Sequence, residues 1–209
     1  MSDILFMGKD IKYKDILSYQ HINIIKNKVN FIVGESGSGK STLLKMLNLS
    51  ISISSGTLFY KDASLESYEP ILLRREVSLI SQEPFLFDES ILDNFRKFYA
   101  LRQLPEPSLE AINFFTELCC VNTPLTQMAT TLSGGERQRV YIAIFLSFLP
   151  KVILLDEPTS ALDEKNSINM MENIVNFCKE KSIDIIVVSH DTNVIAAFSE
   201  NKIELRKVL

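Results

Sequence analysis

Residues 34–42 read GESGSGKST, and no other stretch restricts the fold of this chain as tightly. The run follows VNFIV (29–33), a short apolar strand pattern, and precedes a helical pattern over Lys40–Leu49 in which Leu43, Leu44 and Leu47 share a face. Glycines at this spacing, between a strand and a helix, build a phosphate-binding loop. Successive backbone N–H groups converge on a phosphate, and the positive end of the following helix faces the same anion. Gly34, Glu35, Ser36, Gly37, Ser38 and Gly39 are therefore the candidate cradle. Lys40 is placed to reach the β- and γ-phosphates, Ser41 to ligate Mg²⁺ and Thr42 to hydrogen-bond the α-phosphate.

The chain has only seven glycines, and five of them fall in two clusters, so backbone freedom is concentrated at two places. The second cluster is LSGGERQR, Leu132–Arg139. Ser133 reads as an N-cap, and Gly134 and Gly135 open N–H groups at the start of a helix over Glu136–Leu149, which makes a second anion site. A third segment, VILLDE (152–157), is an apolar strand that ends in two acids. Ligands bind at the carboxyl ends of strands in open parallel sheets, so Asp156 is placed for the Mg²⁺ shell and Glu157 for activating a water. Continuous apolar runs at 77–80, 152–155 and 183–188 suit strands buried on both faces of a parallel sheet. Between them the chain offers helices over Ile91–Leu101, Ser108–Cys120 and Glu136–Leu149, with Pro105 and Pro107 as punctuation and Pro124 expected to end the middle helix region. An α/β core with a helical insertion follows.

Composition narrows the functions. At 46% hydrophobic and 23% charged residues, a disordered main state is excluded. The longest strongly apolar stretch, Val140–Leu149, is half of the roughly 20 residues a membrane span needs. The start, MSDILFMGKD, lacks the basic and apolar blocks of a secretory signal, so a cytoplasmic location is expected. Three cysteines, Cys119, Cys120 and Cys178, have neither metal-ligand spacing nor an even number, and read as reduced, mostly buried thiols. A net charge of −4 without a Lys/Arg block argues against nucleic acid as a partner.

The phosphate loop, the LSGGE run and the DE-ended strand, in that order, resemble the ATP-binding-cassette ATPases over nearly the whole chain. The resemblance implies one domain over 1–209. Its P-loop NTPase core (1–82 and 151–209) would hold a mostly parallel sheet with an N-terminal antiparallel β portion, and a helical subdomain (83–150) would carry the signature. It implies ATP as substrate, Mg²⁺ as cofactor, and a homodimer in the ATP-bound state. In that dimer Ser133, Gly134 and Gly135 of one subunit cap the nucleotide on the phosphate loop of the other. Gln82, in LISQEP, resembles the family's glutamine at the junction of core and helical subdomain, which touches Mg²⁺ and senses the transport partner. Asp163, in SALD (160–163), resembles the acid of the loop that crosses the dimer, and His190, in VVSHD, the switch histidine on the γ-phosphate. Tyr13 is the best match to the adenine-stacking aromatic, with Tyr19 as its alternative, while His21 has no such support and reads as structural.

The same resemblance implies an integral membrane permease subunit, encoded separately, that would hold the ATPase at the inner face of the cell membrane. SQEPFLFDESILDN, after Ile80, resembles exporter-type and small stand-alone transport ATPases, among them a group assigned to metal or iron efflux. TQMATT stands where full exporters carry an acidic and glycine-rich stretch before the signature, which weakens the analogy to fused exporters. Pro84, Phe85, Leu86 and Phe87 form the expected docking cluster for a short helix of the permease. The alternative reading is a soluble ATPase acting on protein complexes, such as iron-sulfur assembly, without a membrane partner.

Overall fold

A computed structural model describes residues 3–14 and 17–206. β1 (Ile4–Tyr13) and β2 (Leu17–Ile25) pair antiparallel, with Tyr13 opposite Leu17 and Lys9 opposite His21. In both strands buried apolar residues interrupt exposed polar ones, as in a sheet with one covered face. β3 (Val29–Gly34) is apolar and almost wholly buried, and its carboxyl end runs into the glycine loop and then α1 (Lys40–Leu47). α1 stops two residues earlier than its apolar pattern suggests, because Asn48 leaves the helical region and Leu49 takes φ +55°. β4 (Ser55–Tyr60) and β5 (Ala63–Ser64) complete a four-stranded antiparallel sheet in the order β2-β1-β4-β5.

α2 (Pro70–Glu76) leads into β6 (Val77–Ile80), and three helices then intervene: α3 (Ile91–Leu101), α4 (Leu109–Leu118) and α5 (Gly134–Ser147). The chain returns through β7 (Val152–Asp156), α6 (Glu164–Glu180), β8 (Asp184–Val188), α7 (Thr192–Phe198) and β9 (Asn201–Leu205). These strands form a five-stranded sheet in the order β6-β7-β8-β3-β9, parallel throughout. Pro124 does not end the middle helix. α4 ends at Leu118, where Cys119 caps it and Cys120 turns left-handed at φ +55°, and the N–H of Val121 bonds back to Thr116. That is a local C-cap closed before the proline is reached.

Alternation along the parallel strands feeds two separate cores. Phe31, Ile153, Leu155, Ile185 and Val187 face α5, α6 and the helical segment. Ile32, Val152, Leu154, Ile186 and Val188 face the other way, onto α1 and the antiparallel sheet. α1 is thereby held between two sheets by Leu43, Leu44, Met46 and Leu47, all fully buried, and its N-terminus is rigidly aimed. The ends of β3, β6, β7 and β8 carry the glycine loop, Gln82, Asp156 with Glu157, and His190 to one edge of the sheet.

Candidate functional site

The loop from β3 to α1 is shaped by left-handed glycines, Gly37 at φ +79° and Gly39 at φ +88°. At Gly39 space also matters, since a Cβ there would lie 2.3 Å from Leu17 and 2.5 Å from the Tyr19 hydroxyl. That hydroxyl donates to the Ser38 carbonyl at 2.6 Å, and burial pushes its pKa up to about 12. Tyr19 is thus a buried prop under the loop, while Tyr13 lines the open cleft above it. Lys40, only 7% exposed, donates through Nζ to the Gly34 and Glu35 carbonyls at 3.0 Å each, so its charge hangs over the cradle. The Ser38 hydroxyl is buried in the loop without a hydrogen-bond partner among the described residues.

The Ser41 hydroxyl donates to Asp156 Oδ1 at 3.1 Å across the gap between α1 and β7. Burial raises the Asp156 carboxyl pKa, and the bond from Ser41 offsets part of that rise. Glu157, the next residue, has φ +51°. Its N–H donates to the Val188 carbonyl at 2.9 Å, and the His190 N–H donates to its Oε2 at 3.3 Å. His190 Nε2 lies 3.3 Å from Oε1, at ion-pair distance but outside hydrogen-bond geometry, so Oε1 is buried without a hydrogen-bond partner among the described residues. Burial pushes the Glu157 pKa up, and attraction to His190 pulls it part of the way back.

These groups surround a cleft of about 710 Å³ lined by Tyr13, Ser36, Gly37, Gly39, Lys40, Ser41, Thr42, Gln82, Glu157 and His190. Thr159, Ser160, Leu162 and Asp191 line it as well; Ser160 and Leu162 lie in the SALD run and Asp191 in VVSHD, where the family resemblance singles out only Asp163 and His190. The signature residues are not among the lining. Ser133 caps α5 through a reciprocal pair, its N–H donating to Glu136 Oε2 at 2.8 Å and the Glu136 N–H donating to its hydroxyl at 3.3 Å. Gly134 faces open space, whereas a Cβ on Gly135 would lie 2.7 Å from that of Ala161. Asp163 is also outside the cleft lining. Its carboxylate caps α6 by accepting from the Asn166 N–H at 3.0 Å, which holds its pKa below the usual value. His21 is exposed on β2, away from the cleft. Sequence reasoning also passed over Gln138, inside the LSGGERQR run, whose Nε2 donates to the carbonyls of Asp156 and Glu157.

The ABC transporter family model matches residues 17–160, more than half of the 209. The chain belongs to this family. It is an ATP-binding subunit of the family's transport systems, and an ATPase. Over 192 residues it is 35% identical to the probable iron export ATP-binding protein FetA of Escherichia coli strain K12, a match spanning 91% of this chain and 84% of that one. It is also 35% identical over 216 residues to the phosphonates import ATP-binding protein PhnC of Wolinella succinogenes, spanning 96% of this chain and 76% of that one. A bacterial ABC transporter cassette solved as a dimer superposes with a TM-score of 0.82 at 25% identity, over 96% of this chain and 94% of that one. An exporter subunit and an importer subunit are thus equally similar to the chain, so sequence likeness favours neither direction of transport.

Proposed function

We propose that the chain hydrolyses Mg²⁺-ATP in a head-to-tail homodimer and drives a separately encoded membrane permease. The observation that carries this reading is the Ser41–Asp156 contact beside Glu157, at the foot of a glycine loop whose lysine is already drawn inward. The residues fit the cofactor. Ser41 lines the cleft together with Gln82, the Asp156 carboxylate stands behind Ser41 at 3.1 Å from its hydroxyl, and the Ser38 hydroxyl is buried in the loop with no partner among the described residues. Among the described residues no group of three or more His, Cys, Asp or Glu gathers into a closed metal cage, which suits a cation completed by phosphate oxygens. Held there by Ser41, Asp156 and Gln82, Mg²⁺ would supply positive charge that neutralises the phosphate oxygens.

In this reading the loop amides and Lys40 hold the β- and γ-phosphates, Thr42 takes the α-phosphate and Tyr13 stacks on the base. Glu157 accepts the proton of the attacking water, and His190 orients the Glu157 carboxylate from one side while facing the γ-phosphate from the other. Ser133, Gly134 and Gly135 of a second copy close the cleft, with Asp163 in the loop between the two subunits. The exposure of Ser133, Gly134 and Asp163 outside the cleft of their own chain and the dimeric form of the superposed cassette both support this. No described helix is long and apolar enough to cross a membrane. In this reading the separately encoded permease supplies the membrane spans and holds the ATPase at the inner membrane face.

Glu157→Gln tests the reading. ATP binding measured by calorimetry should persist while hydrolysis slows about a hundredfold or more, since a positioned general base is worth that much. The variant should elute from size exclusion as a dimer with ATP and as a monomer with ADP. Wild-type turnover would remove Glu157 from the reaction.

A further inference from the structure

α5 carries the signature at its first turn and, little more than one turn later, a buried amide that reaches the other side of the molecule's chemistry. Gln138 is 3% exposed, and its Nε2 donates to the Asp156 carbonyl at 3.3 Å and to the Glu157 carbonyl at 3.2 Å. Glu157 is held at φ +51°, a conformation that residues with a long side chain rarely adopt. Such backbone persists only where its surroundings enforce it. Four hydrogen bonds do so here: the Glu157 N–H to the Val188 carbonyl, the His190 N–H to its carboxylate, and the Ser160 N–H and the Gln138 amide to its carbonyl. The first two partners flank Glu157 on β8 and just past it. Gln138 alone comes from the helical segment.

We propose that Gln138 is a positioning residue for hydrolysis: it clamps the Asp156–Glu157 turn so that the carboxylate points into the cleft, and it ties that turn to the helix whose first residues form the signature. The proposal rests on the reading of Glu157 as the base. A displaced α5 would withdraw the amide and leave the Glu157 carbonyl to the Ser160 N–H, so that Glu157 would lose one of the four hydrogen bonds on an unfavourable backbone conformation and the only one of them that comes from the helical segment. Catalysis by a positioned carboxylate is sensitive to displacements of about 1 Å, which cost on the order of a hundredfold.

Gln138→Leu keeps the side chain's size and removes both donated bonds. We expect its ATP affinity, by calorimetry, to stay within about twofold of wild type and its kcat to fall about ten- to a hundredfold. The discriminating measurement is the cycle with Glu157→Gln. If Gln138 acts through Glu157, the double variant is no slower than Glu157→Gln alone, because the second change removes what no longer matters. Multiplying effects, or a Gln138→Leu enzyme with wild-type kcat, would overturn the role of Gln138 and leave Glu157 as the base. Wild-type kcat in Glu157→Gln would overturn the base reading, and the proposal with it. Should Gln138→Leu fail a thermal-melt check for folding, Gln138→Met takes its place, an unbranched side chain of similar length that donates no hydrogen bond. The same fall in kcat with ATP affinity kept is expected, and wild-type kcat in a folded Gln138→Met enzyme would overturn the clamp.

Discussion

At the scale of single residues, the site is a set of charges whose ordinary behaviour burial has altered. Asp156 is 5% exposed and sits beside another acid, an arrangement that would be costly without the Ser41 hydroxyl and the nearby lysines. Burial is the largest influence on both carboxyls, but the chief relief for Glu157 is His190 rather than a hydroxyl. Both effects bear on the pH dependence of hydrolysis. A base works only when ionised, and its ionised fraction falls as pH drops through its pKa. A pKa raised by burial therefore brings the loss of activity in at higher pH than for an ordinary glutamate. The acid limb of kcat/KM, which reports the free enzyme, should lie above the usual carboxylate range. Removing the attraction in His190→Ala should move that limb higher still, besides lowering turnover. A pH profile showing the limb at the usual glutamate position, unmoved by His190→Ala, would contradict the environment of Glu157 described here.

At the scale of elements, the phosphate loop depends on a strand that does not contain it. β2 passes beneath the loop and props it through Tyr19, whose hydroxyl is the donor for the Ser38 carbonyl. Tyr19→Phe keeps the ring and strands that carbonyl in a buried place, at a cost of about 1–3 kcal/mol. We expect a lower melting temperature and a weaker ATP affinity, both measured by thermal melts with and without nucleotide. Unchanged melts would show that the loop supports itself. Tyr19 also shows where sequence reading reached its limit. β6 and α3 fall where their patterns place them, at Val77–Ile80 and Ile91–Leu101, and the structure adds a Ser90 side-chain cap at the start of α3. The sites at strand ends were legible too, because GESGSGKST and VILLDE each join an element to its loop. Helix ends at Leu49, Cys120 and Leu149 were not, since each turns left-handed without the glycine that usually signals it. Gln138 was invisible for another reason. Its partners are backbone carbonyls 18 and 19 residues away, and no side-chain pattern records them.

At the scale of the whole molecule, two surfaces await partners. Phe85, 61% exposed, packs edge-on against Phe87, and Phe87 leans on Phe98, which in turn meets Tyr141 and Phe145 of α5. This aromatic run joins the segment after β6 to the helical part, where a permease helix would seat. Phe85→Ser should leave basal hydrolysis intact and abolish recovery of a multi-span subunit from detergent-solubilised membranes, and equal recovery by both proteins would take Phe85 out of that interface. The second surface is the signature, which does not line the cleft of its own chain. In the proposed head-to-tail dimer a second copy would supply it, and complementation tests this. Ser133→Arg should bind ATP normally but not hydrolyse it, with a melt lowered only by the lost helix cap, about 1 kcal/mol. Lys40→Ala should lose ATP binding outright. In a mixed dimer one composite site receives both lesions and the other receives neither. An equimolar mixture of the two inactive proteins should then regain about a quarter of wild-type turnover, half of the dimers being mixed and each having one intact site. Two lesions confined to separate, self-contained chains cannot complement. Mixed dimers that form and stay inactive at every ratio would place the signature and the phosphate loop of one chain in the same site.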